Sequence, residues 1–276
     1  MNLAYLVPRL LRHFMPESLT RFLLLRSVII KPGLETIDPA AAVARYGSVL
    51  AETKESVAGK RVLVFGYGGR FDIGIGLLAA GADYVMLCDR YAHPDDGHNR
   101  RLLPAHGEYL VMENGRPRPR PERMGLLEDD IRATRPPELG SRYDLVISSS
   151  VYEHVEDPKG ITQSLASWTA PAGQHIHFVD LRDHFFKYPF EMLCYTDETW
   201  RSWLNPTSNH NRLRVWDYRS IFALHFREVD IQVLERDELA FESIRRRIRP
   251  EFISGNAADD TVTLVCITAR VPRAQG

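Results

Sequence analysis

The chain has 276 residues, of which 44% are hydrophobic and 26% charged, with a net charge of -1 at neutral pH. This is the balance of a globular protein with a large core, and it excludes a general electrostatic field for holding nucleic acid. Cys88, Cys194 and Cys266 are widely spaced and form no CxxC pair. That excludes a disulfide framework and a Cys-based zinc site, and it fits a reducing cytoplasm.

Residues 3–30 carry Leu, Phe and Val at helical spacing against Arg9, Arg12, Arg21 and Arg26, and Pro16 and Glu17 mark a break between two short helices. The arginines interrupt each apolar run well before the roughly 18 residues a membrane span needs, so neither a transmembrane segment nor a signal peptide is expected. The pattern fits a helical cap packed on a domain. It also fits peripheral contact of residues 3–30 with an anionic membrane. A turn at Lys31 to Gly33 and helical sequence over 38–57 complete an expected N-terminal cap of residues 1–57, leaving 58–276 as the main domain.

Val62 to Phe65 form a short apolar run suited to a buried strand. Gly66, Gly68 and Gly69 follow, where the backbone must turn tightly and approach a ligand. A helix and a second strand lead to Asp89, about 20 residues beyond the turn, where a carboxylate accepts hydrogen bonds from a ribose diol. Residues 92–123 read as a polar insertion. Within it Asn114-Gly115 signals a turn between short strands, and Arg116, Arg118, Arg120 and Arg123 alternate with prolines in what reads as a solvated loop.

Met124 to Asp130 predicts a third strand and Tyr143 to Ser149 a fourth, followed by the loop SVYEHVEDP and a helix over about 158–169. Pro171-Ala172-Gly173 predicts a turn into a fifth strand, HIHFVDL. After a second insertion at 185–216, the order is helix (217–226), strand (227–236), helix (238–249) and closing strand (260–271), and the two last strands are expected to pair antiparallel at one edge. Strand-helix alternation of this kind implies a Rossmann-like α/β sandwich with a mostly parallel, seven-stranded sheet, whose ligands bind beyond the carboxyl ends of the strands.

These elements resemble a class I S-adenosylmethionine-dependent methyltransferase over roughly residues 58–271. GYGGR is similar to the family's first motif and Asp89 to its ribose-binding acid. Asp129-Asp130-Ile131 resembles the segment beside adenine, YDLVISSSVYEHVEDP the fourth motif, and Pro171-Ala172-Gly173 the turn before strand five. The resemblance implies S-adenosylmethionine as cofactor, bound by Gly66, Gly68, Gly69, Asp89, Asp130, Ile131 and Ser149. Val64 stands where the family has an acidic residue and Arg70 where it has a glycine, so the contacts at the amino-acid end of the cofactor are left open. Arg70 either faces the cofactor carboxylate or projects from the start of the helix. A dinucleotide oxidoreductase is disfavoured, because Phe71 occupies the last position of GxGxxG.

Methyl transfer to an alcohol needs alignment with the methyl group and a proton acceptor. His184, with Asp183 or Asp180 as its orienting carboxylate, is the expected base, and His154 or Glu153 contributes from the neighbouring loop. Glu153, Asp180, Asn209, His210, Arg212 and Arg214 are expected on the acceptor, with the tryptophans of 199–216 suited to covering a sugar. His177 belongs to the same expected edge. The imidazoles and carboxylates also match the ligand types of a divalent metal, but spacing alone assigns no ligand set, structural roles are the commoner use of such residues, and a metal is not favoured. The EHV, VDLRDH and NRLR stretches resemble bacterial methyltransferases of polysaccharide modification, which implies O-methylation of a sugar or glycan hydroxyl. The alternatives are a natural-product O-methyltransferase and a noncatalytic S-adenosylmethionine-binding scaffold. A nucleic-acid acceptor is disfavoured despite the Arg245-Arg246-Arg247 run, which reads as a solvated helix face.

Overall fold

A computed structural model describes residues 2–16, 19, 37–185 and 187–273. The expected helix running to residue 30 and the Lys31 to Gly33 turn lie outside the described residues. Among these residues, strands β1 (Arg61–Phe65), β2 (Tyr84–Cys88), β5 (Met124–Leu127), β6 (Tyr143–Ser149), β7 (Thr169–Asp180), β8 (Phe226–Arg236) and β9 (Val262–Pro272) form a seven-stranded sheet in the order β5-β2-β1-β6-β7-β9-β8. Strands β5, β2, β1, β6 and β7 pair in parallel, whereas β9 is antiparallel to both β7 and β8. The sheet is therefore the expected one, with its antiparallel pairing at the last two strands.

The apolar run of β1 explains its central place. Val62, Leu63 and Val64 are at most 1% exposed, with Val62 and Val64 in one core cluster and Leu63 in the other. A parallel strand covered on both faces needs such a run, and each side chain of this size contributes about 1.5–3 kcal/mol on burial. Helix α2 (Pro39–Glu52), capped by Asp38, packs its Ala42, Tyr46 and Leu50 stripe on one face, beside helix α3 (Asp72–Ala79). Helices α5 (Pro158–Trp168) and α6 (Val215–His225) cover the other.

The 92–123 excursion holds helix α4 (Asp96–Leu102) and a hairpin of β3 (Leu110–Glu113) and β4 (Arg116–Pro119). Its turn is Asn114-Gly115, both at positive φ. Arg116 and Arg118 are not simply solvated, since both pair with Asp96. Other elements shift from expectation. The third strand stops at Leu127, and Pro171-Ala172-Gly173 bulges within β7, where Tyr143 pairs with Thr169 and then Leu145 with Gln174. The helix expected over 238–249, α7 (Glu238–Ile244), is short, and Arg247 beyond it pairs with the buried Glu191.

Helix α1 (Leu3–His13) turns Tyr5 and Arg9 inward, both fully buried, and leaves Leu3, Val7 and Leu11 more than half exposed among the described residues. Leu6 and Leu10 pack against the core beside them, so the inward face is apolar around one buried arginine. The reason is a buried carboxylate, Asp183, which demands a polar partner. In the 185–216 segment it is Trp200 that packs into the core, while Trp203 is 54% exposed against Phe14. No helix among the described residues is long and apolar enough to cross a membrane.

Candidate active site

The parallel strands end at Phe65, Cys88, Leu127, Ser149 and Asp180, and the loops leaving these ends carry most of the polar residues singled out above. At the first crossover, Gly66, Gly68 and Gly69 have φ of 81°, 71° and 83°, which a side chain strongly disfavours. Space excludes one too: a Cβ on Gly66 would run into Val151, and one on Gly69 would lie 2.5 Å from the His93 carbonyl. The Asp89 carboxylate accepts from the backbone N–H of Gly68 at 3.2 Å and from those of Tyr91 and Ala92, both at 2.8 Å. The turn and the acidic end of β2 are thus one hydrogen-bonded unit.

Arg45 of α2 donates from Nη2 to Ser149 Oγ at 2.7 Å, with its guanidinium 3.7 Å from the centre of the Phe178 ring. This places a cation at the end of β6. Sequence reasoning missed Arg45. Its only signal was a position beside the buried stripe of α2. Arg70 instead points toward Asp95, 4.0 Å away. Asp130 is engaged by Arg132 and Arg90, and the Arg132 hydrogen bonds hold its carboxyl down at about 2, while Ile131 is buried at 2% exposure.

Strands β6 and β7 are neighbours, so the loops after them must meet. The helical turn Tyr152–His154 after β6 and the segment after Asp180 bring Glu153, His154 and His184 together, with potential ligand atoms all within 4.8 Å of one another. His184 Nε2 lies 3.9 Å from Glu153 Oε1. His210 arrives from the 185–216 segment, its ring centre 4.5 Å from that of His184 and 5.6 Å from that of His154. Burial holds all three imidazoles below their usual range, His184 and His210 well below it, and the neighbouring imidazoles with Arg9 and Arg12 add to the effect on those two. The rings are neutral near pH 7. His154 Nδ1 lies 2.7 Å from the Asn209 carbonyl oxygen, which can only accept, so Nδ1 carries the proton and Nε2 the lone pair.

Several expected residues do other work. Asp183 faces away from His184. It accepts from the Tyr5 hydroxyl at 2.5 Å and pairs with Arg9, so the carboxylate beside His184 is Glu153. Asp180 is gripped by Arg182 through Nε and Nη2. Asn209 and Asn211 stitch the 185–216 segment to the carbonyls of His154, Tyr152 and Val155. Arg212 donates to the carbonyls of Met192 and Tyr195 and pairs with Asp197. Arg214, fully buried, donates to the carbonyls of Leu181, Asp260 and Val262. Full burial leaves Arg214 no surface to offer an acceptor. His177 lies inside β7, fully buried between Ser148 and His175, and not on the open edge.

The strand order, the glycine turn and the acidic end of β2 define the Rossmann-like fold of class I methyltransferases. Two solved structures illustrate the likeness. Burkholderia thailandensis 1,6-didemethyltoxoflavin-N1-methyltransferase, with 1,6-didemethyltoxoflavin and S-adenosylhomocysteine bound, is similar at a TM-score of 0.50 and 15% identity, over 93% of this chain and 88% of that one. Haemonchus contortus phosphoethanolamine N-methyltransferase 2, in complex with S-adenosyl-L-methionine, is similar at 0.50 and 13% identity, over 85% of this chain and 52% of that one. At these identities the likeness is one of fold. No protein-family model matches the chain, and no curated protein does.

Proposed function

We propose that the protein is an S-adenosylmethionine-dependent methyltransferase that methylates an oxygen, the hydroxyl of a sugar or glycan. The observation that carries this reading is that the Gly66–Asp89 unit and the largely buried Glu153, His154, His184 and His210 cluster lie at the same edge of one sheet. The first suits the nucleoside and the second an acceptor. The cofactor supplies an electrophilic methyl group on a sulfonium, and the remaining tasks fall to the chain.

The residues fit those tasks. Asp89 suits the ribose diol, and the glycine turn it bonds has the backbone conformation that side chains disfavour. Arg45, a cation at the end of β6, suits the carboxylate of the cofactor's amino-acid end. The neutral imidazoles favour an oxygen acceptor: a hydroxyl must lose a proton as the new bond forms, whereas a free amine already presents its lone pair. His154, Glu153 and His184 stand where that proton is lost, and a hydroxyl-rich acceptor matches the donors and acceptors they present.

Calorimetry with S-adenosylhomocysteine and, separately, NAD tests the cofactor. Binding of the first and not the second is expected, and failure of the first to bind refutes the assignment. Incubation of nucleotide-sugar and glycan pools with labelled S-adenosylmethionine, read by mass spectrometry, tests the acceptor. Label confined to amines or aromatic natural products would overturn the sugar reading.

A further inference from the structure

We propose that Glu153, His154 and His184, with the ring of His210 packed against them, form a binding site for one divalent transition-metal cation at the acceptor side of the sheet edge. The inference rests on the methyltransferase reading only for what the cation is used for.

The donor types come first. One carboxylate and neutral imidazoles are the set that holds zinc, iron, manganese or cobalt, and a site rich in imidazole favours these over magnesium or calcium. The spacing follows. Ligands about 2.1 Å from a shared ion stand at most about 4.2 Å apart. Glu153, His154 and His184 present atoms within 4.8 Å of one another, so loading asks these side chains to close in on the ion.

His154 is already set for the role. Its Nδ1–H donates to the Asn209 carbonyl at 2.7 Å, which fixes the ring and turns the Nε2 lone pair to the open side, the arrangement usual for metal-bound histidine. Asn209 is itself held, with Nδ2 on the His154 carbonyl and Oδ1 accepting from Asn205.

His210 is an independent observation. It is 1% exposed, and among the described residues neither Nδ1 nor Nε2 has a hydrogen-bond partner. A buried imidazole that merely filled space would be expected to satisfy at least one nitrogen, because an unpaired buried polar group is costly. Its main chain is anchored on both sides, the N–H on Asn205 Oδ1 and the carbonyl on Trp200 Nε1, so the ring is held against His184 by design of the loop. Charge does not forbid the ion. Arg9 is neutralised by Asp183, and Glu153 supplies a negative charge at the centre. Arg12, which acts on His184 and His210 from farther out, opposes the cation but favours the ionised form of a hydroxyl bound beside it. The use of the ion is to orient the acceptor hydroxyl and ease loss of its proton to solvent.

The test is a titration of the full-length, chelator-treated protein with Co2+, followed by visible absorption and equilibrium dialysis. One saturable Co2+ per chain is expected, displaced by Zn2+, with affinity falling at least tenfold in Glu153→Gln and in His210→Ala. No saturable binding by the unsubstituted protein, or binding unchanged in both variants, overturns the site. Should the variants unfold, X-ray absorption of the zinc-loaded protein decides: scattering from more than one imidazole supports the site, and an all-oxygen shell refutes it. Binding of S-adenosylhomocysteine is measured alongside. Co2+ binding without it leaves the metal site standing and removes the methyltransferase reading, and the reverse removes only the metal.

Discussion

Arg45 Nη2 donates to Ser149 Oγ across 2.7 Å, joining a helix that precedes the sheet to the end of its fourth strand in chain order. The pair brings a guanidinium to the part of the edge where the chain lacks the acidic residue expected at Val64. If Arg45 binds the cofactor's carboxylate, Arg45→Ala removes a charge-assisted bond of about 1.5 kcal/mol or more and weakens S-adenosylhomocysteine by at least about tenfold. Affinity for 5′-methylthioadenosine, which lacks the amino-acid end, should be unchanged. Equal losses for both ligands in calorimetry would mean that Arg45 only supports the fold.

Asp89 is expected to act at the other end of the same ligand. Asp89→Ala should lower S-adenosylhomocysteine affinity by about ten- to a hundredfold, through lost ribose bonds and a loosened Gly68, Tyr91 and Ala92 loop. Unchanged affinity would remove its assigned role.

His184→Ala should abolish methyl transfer while leaving cofactor affinity nearly intact, because the ring faces Glu153, His154 and His210 and not the glycine turn. Turnover with the labelled donor and calorimetry on the same preparation check the two halves. Retained turnover would exclude His184 from the chemistry.

Asp183 should matter for stability. Its removal leaves Arg9 buried without its counter-charge and Tyr5 without its acceptor, which costs about 3–5 kcal/mol. Urea unfolding of Asp183→Ala should show this loss. A loss below about 1 kcal/mol, as surface pairs give, would mean that α1 is not held there.

Acidification should destabilise the fold through His177. Burial holds this ring down at about 3, against an ordinary 6.5. Between those values the unfolded chain binds the proton and the folded one does not. Stability is therefore whole above pH 6.5 and declines as pH falls toward 3, by up to about 1.4 kcal/mol per pH unit for this group. Chemical unfolding between pH 7 and 4 should show a shallower decline in His177→Gln. Identical slopes would contradict the account.

Much of the fold was legible because its signals are local. The apolar run of Val62 to Phe65, the glycines after it, the Asn114-Gly115 turn and the alternation of strands with helices all act within a few residues, and the sheet order follows from the short crossovers they allow. The helix ends were less legible: the helix expected over 238–249 stops at Ile244 and passes into a 3-10 turn at Arg245–Arg247, whose Arg247 pairs with Glu191, far away in sequence.

The site divides in the same way. By itself the sequence determined that strand ends would gather Gly66, Asp89, Glu153, His154 and His184 at one edge, because β-strand periodicity and loop position place residues on a sheet without reference to the rest of the chain. Only the tertiary structure decided which polar groups face one another. It sent Asp183 to Tyr5 and Arg9, closed Arg214 over main-chain carbonyls, brought Arg45 to Ser149 and seated His210 beside His184. The reason is that a buried charge or imidazole takes its partner from whatever the packing puts within about 3 Å, and that choice has no periodicity in sequence to reveal it.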